Sequence, residues 1–239
     1  MIKHEVIPPF SGEWWIYNII TIFLITLIIL VASSISSPQK QKVTLTLAVL
    51  FIFEFVFMDL YHLYAGIWSL QDSLPFHLCS LMWFMSIYLF LSRKQWVFEM
   101  LLFIGMPGGI HSLLTPELTH GTTLLHKIDF FIGHGGLVLA PFYAMFVLKM
   151  WPRKNAWWKS FLKLQILVFV VAIINTFLGS NYMYLNYPPI ADNPLIPSEE
   201  SLFGKWPYYI VIFELAVIGH AAIINLPFYF YRKKEHSII

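Results

Sequence analysis

Charge is scarce in this 239-residue chain: 12% of residues are Asp, Glu, Lys or Arg, against 58% that are hydrophobic. A soluble domain carries about 25% charged and about 45–50% apolar residues, so a water-exposed globular fold is excluded. Mean hydropathy is +0.69, as expected of an integral membrane protein. There is one cysteine, Cys79, which excludes an internal disulfide. The net charge of +2 gives no electrostatic footprint for nucleic acid. The first fifteen residues, MIKHEVIPPFSGEWW, lack a basic segment followed by a short apolar core and a small-residue cleavage site. No cleavable secretory signal is therefore expected. Internal repeats, low-complexity tracts and a second soluble domain are also missing, which leaves one membrane domain over residues 1–239.

What is present is a series of seven apolar runs, at about 16–35, 43–65, 75–92, 96–114, 128–148, 160–179 and 207–230. Crossing a hydrocarbon core takes about 20 residues. The expected fold is therefore all-α, a polytopic bundle of seven transmembrane helices. Two connections are longer than the rest, at 115–127 and at 180–206, the latter rich in proline and acid. Lysine and arginine set the orientation. Twelve fall in the loops 36–42, 93–95 and 149–163 and in the tail, on one side, and only Lys3, Lys127 and Lys205 fall on the other. This bias predicts an outside N-terminus and a cytoplasmic C-terminus.

With that orientation, the ionisable residues of the spans acquire depths. Asp59 and His62 lie near the outer end of span 2, and His77 and Cys79 in the outer turns of span 3. His111 is near the outer end of span 4, Asp129 and His134 near the outer start of span 5. Asn175 and Asn181 flank the outer end of span 6, and Glu214 is two turns into span 7. Ionisable groups inside spans are costly and mark function, although polar residues also serve as interhelical glue. So many at one level predict a polar pocket opening outward. Glu54 lies below that level, and His220 is deeper still and falls outside the pattern.

The stretch LPFHLCSLMW at 74–83 holds the lone thiol. Asp72 or Ser73 can cap a helix with Pro75 in its first turn, which would put Cys79 in the second turn. There the positive end of the helix favours thiolate. His77 and Cys79 are about 200° apart around a helix, so the base for Cys79 should come from another span. His134, in Gly133-His134-Gly135-Gly136, is the candidate: flanking glycines leave room for a backbone or a lipid chain, or else serve small-residue packing. A Cys–His pair fits the pattern of an activated nucleophile, with Asp129, Asn175 or Glu214 available to orient the histidine. The plainer reading is that Cys79 is a small apolar filler. Two rivals remain open. His62, His77, His111, His126 and His134 with Asp59, Asp129 and Glu214 could bind zinc in a metal-dependent lipid hydrolase. The same groups could line a solute path or a lipid-binding site. Met106-Pro107-Gly108-Gly109 should kink span 4 and shape the pocket floor.

The segments LPFHLCSL, LLTPEL, FFIGHGGLVLAPFY, NTFLGSNYMYL and GKWPYYIVIFEL resemble the bacterial YwaF-type integral membrane proteins, which are related to the transmembrane protein 164 family. The resemblance runs from about residue 50 to 230. It implies a seven-helix fold in a bacterial plasma membrane and a lipid acyltransferase that moves a fatty acyl chain between phospholipids. It carries the nucleophile onto Cys79 and the acid/base onto His134, while His77, Asn175, Asn181 and Glu214 match recurrent motif positions. This chain reads GHG where relatives often read SHG. No cofactor is called for. An outward-facing pocket has no access to cytoplasmic acyl-CoA, so the expected partners are a membrane phospholipid as donor and a lysophospholipid or other hydroxyl as acceptor. Span-3 backbone amides or Asn175 are the candidates to stabilise the oxyanion.

Overall fold

The computed structural model describes residues 5–118, 121–188 and 201–236. Helices account for most of them: α1 Gly12–Ser34, α2 Ser37–Tyr64, α3 Leu78–Ser92, α4 Gln95–Leu114, α5 Leu124–Phe146, α6 Ala156–Leu178 and α7 Tyr208–His236. A two-residue strand pair, Glu5–Val6 with Glu117–Leu118, ties the N-terminal segment to the α4–α5 connection. Each apolar run in the sequence forms a helix, and six of the seven are long and apolar enough to cross a membrane. The exception is α3, with 15 residues. At 1.5 Å per residue it is about 22 Å long, short of a hydrocarbon core of about 30 Å. Lys3 and most of the proline- and acid-rich connection, at 189–200, lie outside the described residues.

Local signals account for the helix ends. Ser11 caps α1 by accepting from Trp14 N, and Thr123 caps α5 by accepting from His126 N. Ser36 and Gln39 form a capping box at the start of α2. Gly179 ends α6 in the left-handed region at φ 62°, which glycine adopts without strain.

The start of α3 corrects the sequence expectation. Asp72 and Ser73 do not cap it, because they are engaged in their own turn: Ser69 N donates to Ser73 Oγ at 3.0 Å and Ser69 Oγ to Asp72 Oδ2 at 3.2 Å. Tyr182 holds the same loop, accepting from Leu74 N at 3.0 Å and donating to Leu70 O at 2.8 Å. The helix begins only after Pro75, with His77 at its N-cap, so Cys79 sits in the first turn rather than the second.

At the centre is α4. Val97, Phe98, Met100, Leu101, Leu102 and Phe103 are buried almost completely. Pro107 has no N–H to give Phe103 O, and its ring crowds that carbonyl. The helix answers with a π turn over Leu101–Gly105, so the irregularity lies one turn ahead of the expected kink. By contrast, α1, α2, α6 and α7 present exposed apolar side chains such as Phe23, Phe53, Phe169 and Ile223, as lipid-facing helices do. At one end, the α3–α4 turn, the α5–α6 loop and the last turns of α7 are tied together. Arg153 makes a bidentate pair with the buried Glu99 at 2.9 and 2.7 Å, Gln95 donates to Trp151 O at 2.8 Å, and Arg232 donates to Pro152 O at 3.2 Å.

Close packing of α5 depends on two glycines. A Cβ on Gly135 would lie 2.6 Å from Thr21 of α1, and one on Gly136 would lie 2.1 Å from the Trp83 ring. That ring cannot retreat, since it stacks on Phe51 at 3.9 Å and donates to Phe51 O at 3.3 Å. Gly133 has no atom within 4 Å of its Cβ position.

Gly136→Ala should therefore destabilise the protein. Overpacking costs about 1–3 kcal/mol, which outweighs the gain of up to about 1 kcal/mol from alanine's helix propensity. Gly133→Ala should be neutral or slightly stabilising, and thermal unfolding in detergent compares the two. In the same assay Arg153→Ala, which strands a carboxylate only 2% exposed, should cost about 3 kcal/mol. Glu99→Gln should cost less, since the charge it leaves unpaired, Arg153, is 60% exposed.

Candidate functional site

A cavity of about 590 Å³ lies among α2, α3, α4, α5, α6 and α7, within the usual size of about 300–1,000 Å³ for small-molecule sites. Asp59, His62, His77, Cys79, His111, Asp129, His134 and Glu214 line it, together with Glu54, His126 and His220. Asn175 and Asn181 do not. Asn175 accepts from Tyr182 N and Ser180 Oγ and donates to Tyr182 O. Asn181 accepts from Asn186 N and donates to Tyr187 O. Both shape the 180–187 loop, and that loop contributes Met183, Tyr184 and Leu185 to the cavity wall.

Two adjacent glycines of α4 face the Cys79 thiol and the backbone of His134. The Cβ position of Gly108 is 3.9 Å from Cys79 Sγ, and that of Gly109 is 2.8 Å from the backbone carbonyl of His134. Successive helix positions differ by about 100°, so the Cys79 side chain and the His134 backbone lie on neighbouring flanks of one α4 turn, and both residues line the cavity. The Ser112 side chain, one turn further along α4, neighbours the Cys79 thiol in the cavity wall.

The tautomer of His134 follows from its partner. Its Nδ1 is 2.8 Å from Phe130 O, and a carbonyl oxygen only accepts, so Nδ1 carries the proton. The neutral ring then offers the lone pair of Nε2. The orienting group is thus a backbone carbonyl of the same helix, not Asp129, Asn175 or Glu214 as the sequence suggested. Asp129 is instead hydrogen-bonded to Glu54, which also accepts from Trp83. An ionised carboxylate only accepts, so this pair holds a proton between its two members. Glu214 accepts from Gln165 Nε2 at 2.7 Å, and Asp59 accepts from Trp68 Nε1 at 2.8 Å.

The histidines fall into separate groups. His62 and His126 stack at 5.5 Å with 10° between planes, and Thr123 Oγ1 is 2.7 Å from His126 Nδ1. His111 and His220 meet Nε2 to Nε2 at 2.9 Å. Among the described residues, no three His, Cys, Asp or Glu side chains converge to hold a metal ion. His220 is the member that depth counting missed. α7 has 29 residues, about 43 Å at 1.5 Å each, longer than a hydrocarbon core of about 30 Å, so its sequence alone does not fix which of its turns lies level with α4.

His77 packs its ring against Tyr182 at 5.1 Å and Tyr184 at 5.6 Å. Met183 and Tyr184 both take left-handed backbone angles, φ 57° and 54°, and Tyr209 Oη donates to Tyr184 O at 2.7 Å. Burial, with Glu117 and Cys79 nearby, pushes the Tyr184 hydroxyl up to about 12, so at neutral pH it stays a hydrogen-bond donor. Hydropathy patterns carried no signal for Tyr184, because it sits on a connection.

Residues 9–232 match the model of the TMEM164 family. An uncharacterized protein of Treponema pallidum (strain Nichols) is 25% identical over 175 residues, which cover 71% of this chain and 66% of that protein. The chain thus spans just under two thirds of that relative. No solved structure matches the chain. With the match extending from α1 to the last turns of α7, this helical membrane protein belongs to the TMEM164 family.

Proposed function

We propose that this protein is a membrane-embedded acyltransferase that moves a fatty acyl chain from a phospholipid to a lysophospholipid through a thioester on Cys79. The observation that carries the reading is that Cys79 and the Nε2-presenting His134 share one cavity on neighbouring flanks of the Gly108–Gly109 turn. His134 takes the thiol proton, directly or through one water. The sulfur attacks the ester carbonyl, the carbon–oxygen bond breaks, and His134 returns the proton to the departing lysolipid oxygen. The acceptor hydroxyl then attacks the thioester carbonyl, and Cys79 is released.

The first turn of α3 supplies the oxyanion donors. The N–H groups of Leu78, Cys79 and Ser80 lie in the first turn, where the residues four back are outside the helix and supply no helical carbonyl, and the His77 side chain does not cap the helix. Asn175, outside the cavity lining, drops out of that role. Among the described residues, the cavity wall includes six carboxyl residues, Glu54, Asp59, Asp72, Glu117, Asp129 and Glu214, and no Lys or Arg. Such a wall gives no anchor for the several phosphates of acyl-CoA, which favours a phospholipid donor. Leu137, Leu164, Val168 and Val217 offer an apolar lining for the acyl chain.

In this reading α3 is a seventh crossing, completed by the irregular segment 67–77. Non-helical backbone is tolerated at membrane depth where it lines a cavity. The twelve-to-three bias of lysine and arginine sets the N-terminus outside and the C-terminus in the cytoplasm of a bacterial cell.

Intact-protein mass spectrometry of the purified protein incubated with phospholipid tests the mechanism. The wild type should carry a hydroxylamine-labile acyl adduct that Cys79→Ala lacks. His134→Ala should lower transfer about 10²–10⁴-fold. Wild-type rates of transfer by Cys79→Ala would rule out the thioester.

A further inference from the structure

The cavity holds a second histidine beside Cys79 that the steps above leave unused. Gly108, His111 and Ser112 occupy positions i, i+3 and i+4 of α4 and share a face. Gly108 and Ser112 both approach the thiol, so His111 lies on the face of α4 that borders it. Its protonation is dictated by a relay. His220 Nδ1 is 2.6 Å from Ala216 O, so that nitrogen carries a proton. In a neutral ring, His220 Nε2 then accepts. His111 Nε2, 2.9 Å away, must be the donor. The remaining atom, His111 Nδ1, therefore presents a lone pair, and it has no hydrogen-bond partner among the described residues.

We propose that His111, oriented by His220, is the base of the second half-reaction, acting on the hydroxyl of the acceptor lysolipid. His134 serves acylation from α5, and the His111–His220 pair serves deacylation from α4 and α7. This rests on the thioester reading above. The acceptor hydroxyl gives its proton to His111 Nδ1 and its oxygen attacks the thioester carbonyl. The new carbon–oxygen bond forms as the carbon–sulfur bond breaks. His111 returns the proton to the Cys79 thiolate, directly or by way of the Ser112 hydroxyl. While His111 is protonated, His220 Nε2 accepts from it and spreads the charge over both rings. His111 is thus a catalytic residue and His220 a positioning residue.

A purely structural role, in which the pair only pins α7 to α4, predicts different behaviour. In His111→Gln the amide nitrogen can take the place of Nε2 and keep donating to His220, but it offers no base. The test uses the full chain in nanodiscs, a phospholipid with a labelled acyl chain and a lysophospholipid acceptor. Transfer and the acyl adduct on Cys79 are followed by mass spectrometry. His111→Gln should transfer about 10²-fold more slowly or worse while its adduct rises several-fold above wild type. His220→Ala should move both readouts the same way, less strongly. His134→Ala should form no adduct. Wild-type transfer by His111→Gln, or loss of its adduct together with transfer, would overturn the assignment. A wild type with neither adduct nor transfer would overturn the thioester reading itself, and this inference with it.

Discussion

The backbone contact between α4 and α5 at Gly109 governs the interior of this bundle. A Cβ there would sit 2.8 Å from the His134 carbonyl and 3.0 Å from Leu137 Cβ, so only hydrogen allows the two helices to lie this close. Helix association in lipid has little hydrophobic driving force and relies on such close approach. Once α5 rests on that flank of α4, the preceding residue, Gly108, faces Cys79. Two residues beyond Gly109, His111 reaches His220 of α7. Gly108, Gly109 and His111 thus meet three helices with chemically active side chains at one turn of a fourth.

Polar groups in an apolar bundle must find partners inside the protein. Here they do so mostly in pairs that bridge helices: Glu54 with Asp129, Gln165 with Glu214, His111 with His220. Leaving such a group unsatisfied costs several kcal/mol in an apolar setting. The same pairing also fixes which atom of each histidine holds its proton. His134 and His220 each spend Nδ1–H on a carbonyl four residues back, and the atoms left over define the chemistry of the cavity. Cohesion and reactivity are therefore two consequences of one set of hydrogen bonds.

The GHGG motif illustrates what sequence reading can and cannot separate. Both of its alternatives hold, at different residues. Gly133 faces the open cavity, while Gly135 and Gly136 are contact glycines against Thr21 and Trp83. The two asparagines diverge from expectation for a related reason. Placed by depth, Asn175 and Asn181 belong with the pocket, but rotation about the α6 axis and the turn after Gly179 direct them into the 180–187 loop. From there their side chains hold Ser180, Tyr182, Asn186 and Tyr187, on either side of Tyr184.

Composition and hydropathy alone determined that this is a helical membrane protein and where its helices run, to within about six residues at each end. Those properties depend on transfer from water to lipid, which each residue undergoes in its own local segment. Tertiary structure decided the rest. It delayed α3 to Leu78, because Tyr182, 108 positions away from Leu74, holds the preceding loop. It brought His220 to His111 and, among the described residues, divided the histidines into groups with no three ligands together. These outcomes depend on the rotational phase and lateral neighbours of each helix. Packing between segments sets those, and no single segment encodes them.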